Sequence, residues 1–328
     1  MTLWISGATG FLGRNFLNHL VRHYPDYAIT CLVRDPVKAS QQWPEIPRNV
    51  HWLAGDLLAP ETYRDSLRQA ERVFHLAALV GLRNGPEFYQ QNTEATRCLT
   101  DTLHMSDRLE RLVYVSSISA IDRPWESPAT HLLNEQSLPQ PHTDYGKSKL
   151  QAEQIIQSSG LPHTILIPAY IYGPHARPNS SLDRLIRDMV SGKSYTRFPF
   201  PGEVSEIYVE DLAQALWLAA FHPNTLNQRF LIANPQPVGV DKAYQLLASA
   251  LGVSWRNQGQ HAARLGRYQS RWYQAQPDSL MLRILFERYF ACSSHSWYQA
   301  TGQVPRYGLE EGIQRTVGWY AQQGLLVR

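Results

Sequence analysis

Tyr145 and Lys149 stand four residues apart in the run Tyr145-Gly146-Lys147-Ser148-Lys149. On a helix that spacing puts both side chains on one face, as neighbours. An ammonium beside a phenol favours the phenolate, and so lowers a pKa that starts near 10. A tyrosine so placed serves as a general acid or base near neutral pH. The chain has 328 residues, with 17 tyrosines and five lysines. Chance supplies about 0.3 pairs at this spacing, and this is the only one. A third functional group is at hand in Tyr114-Val115-Ser116-Ser117, where a serine hydroxyl ends a buried-strand run, and parallel sheets place ligands at such ends. Ser117 is the stronger candidate for a substrate oxygen, and Ser116 reads as structural. The alternative is that both are strand-end hydroxyls satisfied by backbone groups.

A second constellation opens the chain. Gly7-Ala8-Thr9-Gly10-Phe11-Leu12-Gly13 follows an apolar run and begins a helical one. Glycine is needed where the chain turns tightly, where backbone meets a pyrophosphate and where helix packs on strand. The helix N-terminus then offers free N–H groups to phosphates. Gly7, Thr9, Gly10, Phe11, Leu12 and Gly13 are therefore the expected dinucleotide cradle. The next strand run ends in Val33-Arg34-Asp35-Pro36. A site specific for NAD usually puts an acidic residue at this strand end for the ribose 2′-OH. Here Arg34 stands ready to pair with a 2′-phosphate, and Asp35 reads as shaping the turn before Pro36. NADP(H) is favoured over NAD(H). Lys38 either adds a second cation or is a solvated helix-start lysine.

These residues need a scaffold that brings them together. Strand runs at Thr2–Ser6, Ala28–Val33, Val50–Ala54, Arg72–Ala77 and Leu112–Ser116 alternate with helical segments at Phe11–His23, Glu61–Gln69 and Phe88–Ser106. Strand and helix repeated in this way predict a parallel sheet with right-handed crossovers. Later helices are expected at Lys147–Ser158, Leu182–Val190, Asp211–Phe221 and Lys242–Leu251, with strands at His163–Pro168 and Gln228–Ala233. The fold class expected is α/β: a Rossmann-type doubly wound parallel sheet with a smaller C-terminal substrate-binding portion. Residues 1–168 form the dinucleotide-binding domain, about 204–235 return to it, and 169–328 are mainly substrate-binding.

Composition bounds the function. Hydrophobic residues make up 43% and charged ones 18%, which argues against disorder. A net charge of +3 is too small for a whole-chain nucleic-acid binder. Cys31, Cys98 and Cys292 form neither a disulfide framework nor a metal pair, so a reducing, cytoplasmic setting is expected and no metal site. The N-terminus lacks signal-peptide features, and no apolar run is long enough for a spanning helix. Trp255–Tyr298 stands apart: arginines 256, 264, 267, 271, 283 and 288 interleave with aromatic residues. It reads as packed surface helices, or as an aromatic lid or membrane-surface contact.

With these residues in view, the chain resembles the NAD(P)-dependent epimerase/dehydratase family, the extended short-chain dehydrogenases/reductases. The resemblance rests on Gly7–Gly13, Gly55-Asp56-Leu57, His75-Leu76-Ala77-Ala78, Asn92, Val115-Ser116-Ser117, Tyr145–Lys149, Ile171-Tyr172-Gly173-Pro174, Tyr208–Ala213 and Pro305–Ile313. It covers nearly the whole chain. It implies that Ser117, Tyr145 and Lys149 are the catalytic triad, with Lys149 on the nicotinamide ribose. It also implies that Asp56 and Leu57 flank the adenine, that Ala77 runs along the dinucleotide, that Asn92 braces the helix behind the site, and that Pro168 touches the nicotinamide. Within the family, Val33–Pro36 is similar to dihydroflavonol and cinnamoyl-CoA reductases, Gly7–Arg14 to thioester reductase domains, and Ile207–Leu212 to 3β-hydroxysteroid dehydrogenase-like members.

Departures from the sugar-nucleotide branch are Ile167-Pro168 in place of Arg-Pro, Ile118–Asp122 after the serine, and the apolar Phe198-Pro199-Phe200-Pro201-Gly202. The expected function is an NADP(H)-dependent oxidoreductase acting on the carbonyl or secondary alcohol of a relatively apolar small molecule. The alternatives are a nucleotide-sugar epimerase or dehydratase, and a non-catalytic dinucleotide sensor. The expected partners are the small-molecule substrate and, as in relatives, a second copy of the chain.

Overall fold

The computed structural model describes residues 1–43, 47–81, 84–123, 131–255 and 280–326. Its strands are β1 (Thr2–Ser6), β2 (Ala28–Val33), β3 (Val50–Ala54), β4 (Arg72–His75), β5 (Arg111–Val115), β6 (His163–Pro168), β7 (Tyr170–Tyr172), β8 (Glu203–Val204), β9 (Glu206–Tyr208), β10 (Gln228–Ile232) and β11 (Val238–Gly239). The helices through the middle of the chain are α1 (Phe11–His23), α2 (Pro36–Gln42), α3 (Arg64–Leu67), α4 (Ala95–Leu103), α5 (Asp144–Ser158), α6 (Ser181–Val190), α7 (Val209–Phe221) and α8 (Val240–Ala250). Leu280–Phe286, His295–Thr301 and Leu309–Gln322 are helices near the C-terminus.

Seven strands form one sheet in the order β3-β2-β1-β4-β5-β6-β10, and every pairing is parallel. Side chains alternate between its two faces. Leu3, Ile5, Ile29, Cys31, Phe74, Val113 and Leu166 pack with Phe16 and Leu20 of α1 and with Leu212 and Leu216 of α7. Trp4, Leu32, Val73, Leu112, Tyr114, Ile165 and Ile167 point the other way, onto Leu99 of α4 and Ala152 and Ile156 of α5. Coverage on both faces explains why the strands read as continuous apolar runs. The winding reverses between β1 and β4, so a crevice opens at the carboxyl ends of these strands. The residues singled out for chemistry lie at or beside those ends.

The C-terminal portion has its own core, in which Leu182, Ile186 and Met189 of α6 meet Leu247 and Ala248 of α8, Tyr172, Tyr208, Ile313, Val317 and Tyr320. Two short ribbons, β7 with β9 and β8 with β11, join it to the sheet.

Several expected elements differ in detail. Glu61–Gln69 holds only a 3-10 turn at Pro60–Thr62 and the four-residue α3, because Thr62 Oγ1 bonds the Ala59 carbonyl at 2.6 Å in place of helix propagation. The helix expected from Phe88 begins as a π-helical turn, Tyr89–Glu94, before α4. In the segment Trp255–Tyr298, residues 256–279, and with them Arg256, Arg264, Arg267 and Arg271, lie outside the described residues. In the part described, Arg283 is buried against Glu287 at 2.9 Å and over the Tyr289 ring at 4.5 Å, and Trp297 is fully buried. That part is packed, not presented as an exposed face. Among the described residues no helix is long and apolar enough to cross a membrane.

Candidate active site

Gly7 has φ +80, and a Cβ there would lie 2.5 Å from Ala77 N, so glycine is required by both conformation and space. This contact brings the ends of β1 and β4 together. At Gly13 a Cβ would overlap the Gly7 carbonyl oxygen, which fixes how closely α1 approaches β1. A Cβ on Gly10 would meet the same oxygen at 3.3 Å, a much softer contact. Neither backbone angle nor severe crowding demands glycine there. Gly10 caps α1 with no side-chain hydrogen bond, and the first turn carries no acid. The N–H groups of that turn are therefore open to an anion. Phe11 and Leu12 sit half-buried in it.

Beside this cradle a pocket of about 390 Å³ is lined by Thr9, Val33, Arg34, Asp35, Lys38, Ala39 and Gln42. Arg34 and Lys38 are exposed, and neither forms an ion pair among the described residues. Asp35 Oδ1 accepts from Lys38 N at 2.9 Å and caps α2, so its carboxylate shapes the turn. On the same side of the crevice, just past the end of β3, Asp56 accepts from Leu58 N at 2.9 Å, and Leu57 lies between them in the chain.

Tyr145 and Lys149 both lie on α5. Thr143 caps the helix by accepting from Gly146 N at 3.0 Å. A Cβ on Gly146 would overlap the Ser119 carbonyl, so only glycine lets the helix start this close to the turn after β5. That approach brings Tyr145 close enough to Ser117 for the serine hydroxyl to favour the phenolate. Asn92 ties the assembly from behind. It accepts from Leu79 N at 2.8 Å and donates to Leu79 O and Ser148 Oγ at 3.0 and 2.9 Å. Pro168 ends β6 beside this group, buried and paired with Ile232.

Burial works against the lowering of the Tyr145 pKa that the neighbouring Lys149 was expected to give. Burial raises that pKa, opposed by the Ser117 hydroxyl and by the Arg177 charge. The physical reason is that both partners are desolvated. Lys149 is itself lowered to about 7, and its Nζ stands 4.1 Å from the Tyr114 ring centroid. The protonated phenol is thus the resting form, which suits a proton donor.

The sequence reading also left residues unnoticed. Asp144 fastens the loop before Tyr89: Gly85 N and Tyr89 Oη donate to it at 2.9 and 3.0 Å. Arg177 lies within electrostatic reach of Tyr145. Glu153 follows Lys149 by one turn, a spacing that could have flagged it, and pairs with Arg229 at 2.9 Å. Among the described residues no three His, Cys, Asp or Glu side chains converge as metal ligands.

Comparison with known proteins places this geometry. A family model described as "NAD dependent epimerase/dehydratase family" matches residues 3–233. The chain is 23% identical over 347 residues to a trifunctional UDP-glucose 4,6-dehydratase/UDP-4-keto-6-deoxy-D-glucose 3,5-epimerase/UDP-4-keto-L-rhamnose-reductase of Arabidopsis thaliana. That match takes in 97% of the chain and 47% of the relative, so the chain spans about half of that relative's length. It is 29% identical over 238 residues to sterol demethylase protein B of Methylococcus capsulatus, covering 71% of the chain and 69% of that protein. Among solved structures, dTDP-glucose 4,6-dehydratase from Bacillus anthracis in complex with NAD superposes with a TM-score of 0.77 at 18% identity, over 99% of this chain and 98% of that one. At that identity the likeness shows the fold alone.

Proposed function

The chain belongs to the NAD dependent epimerase/dehydratase family, and from that premise we propose that it is an NADP(H)-dependent reductase of a relatively apolar carbonyl compound. The observation that carries the reading is the exposed pair Arg34 and Lys38, outside any ion pair among the described residues, on the pocket beside the glycine turn; an aromatic cluster in the C-terminal portion supports the apolar substrate. Tyr170 lies two residues past Pro168 at the end of β6 and is 43% exposed, although desolvation pushes its pKa up and Tyr244 adds to the effect. Tyr244 packs on Phe200 at 6.0 Å, and Phe200 on Phe286 and Phe198 at 5.5 and 6.1 Å. The apolar run Phe198–Gly202 thus forms a hydrophobic cluster with Val240, Leu282 and Leu285. Phe200, Val240 and Phe286 are its buried centre, and the half-buried Phe198, Tyr244, Leu282 and Leu285 are the side chains left for an apolar substrate to cover.

In this reading Gly7, Gly10, Gly13 and the open turn of α1 hold the pyrophosphate, and Arg34 with Lys38 receives a 2′-phosphate. Ala77, Asp56, Leu57 and Pro168 line the remaining length, and Lys149 holds the nicotinamide ribose. The bound dinucleotide supplies the hydride. Ser117 and Tyr145 donate hydrogen bonds to the carbonyl oxygen. Tyr145 then passes its proton to that oxygen as the carbon is reduced, and the alcohol leaves.

The second reading, a nucleotide-sugar epimerase or dehydratase, draws on the plant relative. It returns its cofactor to the starting state in each cycle, so net consumption separates the two. Purified protein is incubated with NADPH and aliphatic, cyclic and aromatic ketones, and separately with UDP-glucose. NADPH loss matched by alcohol formation supports the proposal. Conversion of UDP-glucose without net cofactor turnover overturns it.

A further inference from the structure

Five lysines are present, and four of them, Lys38, Lys147, Lys193 and Lys242, are exposed. Lys149 is 2% exposed. An ammonium in such a place is costly unless a counter-charge sits beside it. One turn further along α5 lies Glu153, 1% exposed. Ser116 Oγ donates to its Oε1, and Arg229 Nη2 pairs with its Oε2 at 2.9 Å. Arg229 comes from the edge strand β10, and its Nη1 donates to the Glu135 carbonyl at 3.0 Å. A chain of alternating charge therefore runs from the edge of the sheet to the site, through Arg229, Glu153 and Lys149.

We propose that Glu153 is a positioning residue whose carboxylate, held by Arg229 and Ser116, keeps Lys149 as an ammonium in the site. The inference rests on Lys149 being a site residue, but its test does not need the cofactor or the substrate. The groups facing Lys149 are Tyr145 and Glu153 on α5, Tyr114 from β5 and His75 from β4. Those facing Glu153 are Arg229 from β10, Tyr114 from β5, Ser116 just after it, and Lys149. The packed turn at Tyr89–Glu94 presents neutral Asn92 and Thr93 to α5. Glu153 is the anion in this set, and burial opposes its charge while Arg229, Ser116 and Lys149 favour it. His75 is held neutral, in part by the Lys149 charge.

The scarcity of lysine makes the test direct. Isotopic labelling at lysine Cε gives five NMR resonances, and Lys149→Met assigns the one of interest. Titration of the apo protein then reads the Lys149 midpoint. Glu153→Gln is expected to lower that midpoint by about one pH unit or more. Arg229→Gln removes a cation from the same chain, so it raises the midpoint above the wild-type value. Opposite signs from two substitutions in one network are not what a merely structural role produces. An unchanged or raised midpoint in folded Glu153→Gln overturns the proposal. If that variant does not fold, Glu153→Asp and Arg229→Gln carry the test. A smaller downward shift in the first and an upward one in the second support the proposal, and no shift in either overturns it.

Discussion

Replacing Arg34 by alanine is expected to weaken NADPH binding about tenfold and leave NADH binding nearly unchanged. Arg34 stands at the end of β2, exposed, on the wall of the pocket that Thr9 and Lys38 also line. No acid among the described residues competes for it, and Asp35 is occupied as the cap of α2. A hydrogen bond to a charged partner contributes about 1.5–3 kcal/mol. Solvent and salt screen this one, so roughly half of that survives, near the ~1.4 kcal/mol that makes a tenfold change. Lys38, one helical turn along, retains part of the attraction, so Arg34→Ala combined with Lys38→Ala exceeds either alone. Arg34→Asp goes further and favours NADH, because it presents a carboxylate to the ribose hydroxyl. Fluorescence titration with both dinucleotides, at low and high salt, measures this. Equal weakening of NADPH and NADH, or no change in either, refutes the argument. So does a difference that does not shrink as salt rises.

Three further outcomes follow from the geometry. Gly13→Ala forces a methyl onto the Gly7 carbonyl, and is expected to cost about 1–3 kcal/mol, read as a lower melting temperature together with lost dinucleotide binding. Tyr145→Phe keeps the ring packed on Phe88 and removes only the proton, so turnover falls about 100- to 10,000-fold while dinucleotide affinity stays within a few-fold. His75, His19 and His175 are held neutral by burial, with pKa values lowered from 6.5 to about 3, 4 and 4. The unfolded chain therefore takes up protons first, and stability drops as pH falls below about 6.5. The slope is up to about 1.4 kcal/mol per pH unit for each histidine. Denaturant unfolding across this range checks the slope, and His75→Gln flattens it.

Much of the fold was legible because its signals are local or periodic. A strand covered on both faces must be apolar throughout, as Leu112–Val115 is, and a dinucleotide turn needs its glycines at fixed spacing. The helix carrying Lys149 was expected only from Lys147, whereas the Thr143 cap starts it at Asp144 and so takes in Tyr145. What escaped depends on distant parts of the chain. The ribbon of Tyr170–Tyr172 with Glu206–Tyr208 is too short for periodicity to reveal. At Tyr145 a spacing argument sees the neighbouring ammonium but not the burial of both groups. Arg229 reaches Glu153 across 76 positions of sequence, and no local pattern announces that contact.

The central claim is that a hydride leaves the dinucleotide for the substrate carbonyl while Tyr145 supplies the proton. The most direct test uses NADPH carrying deuterium at nicotinamide C4 with an apolar ketone that the enzyme consumes. The predicted result is one deuterium on the carbinol carbon of released alcohol for each NADP formed, with the reaction lost in Tyr145→Phe. Released product without deuterium, or undiminished transfer in Tyr145→Phe, contradicts it.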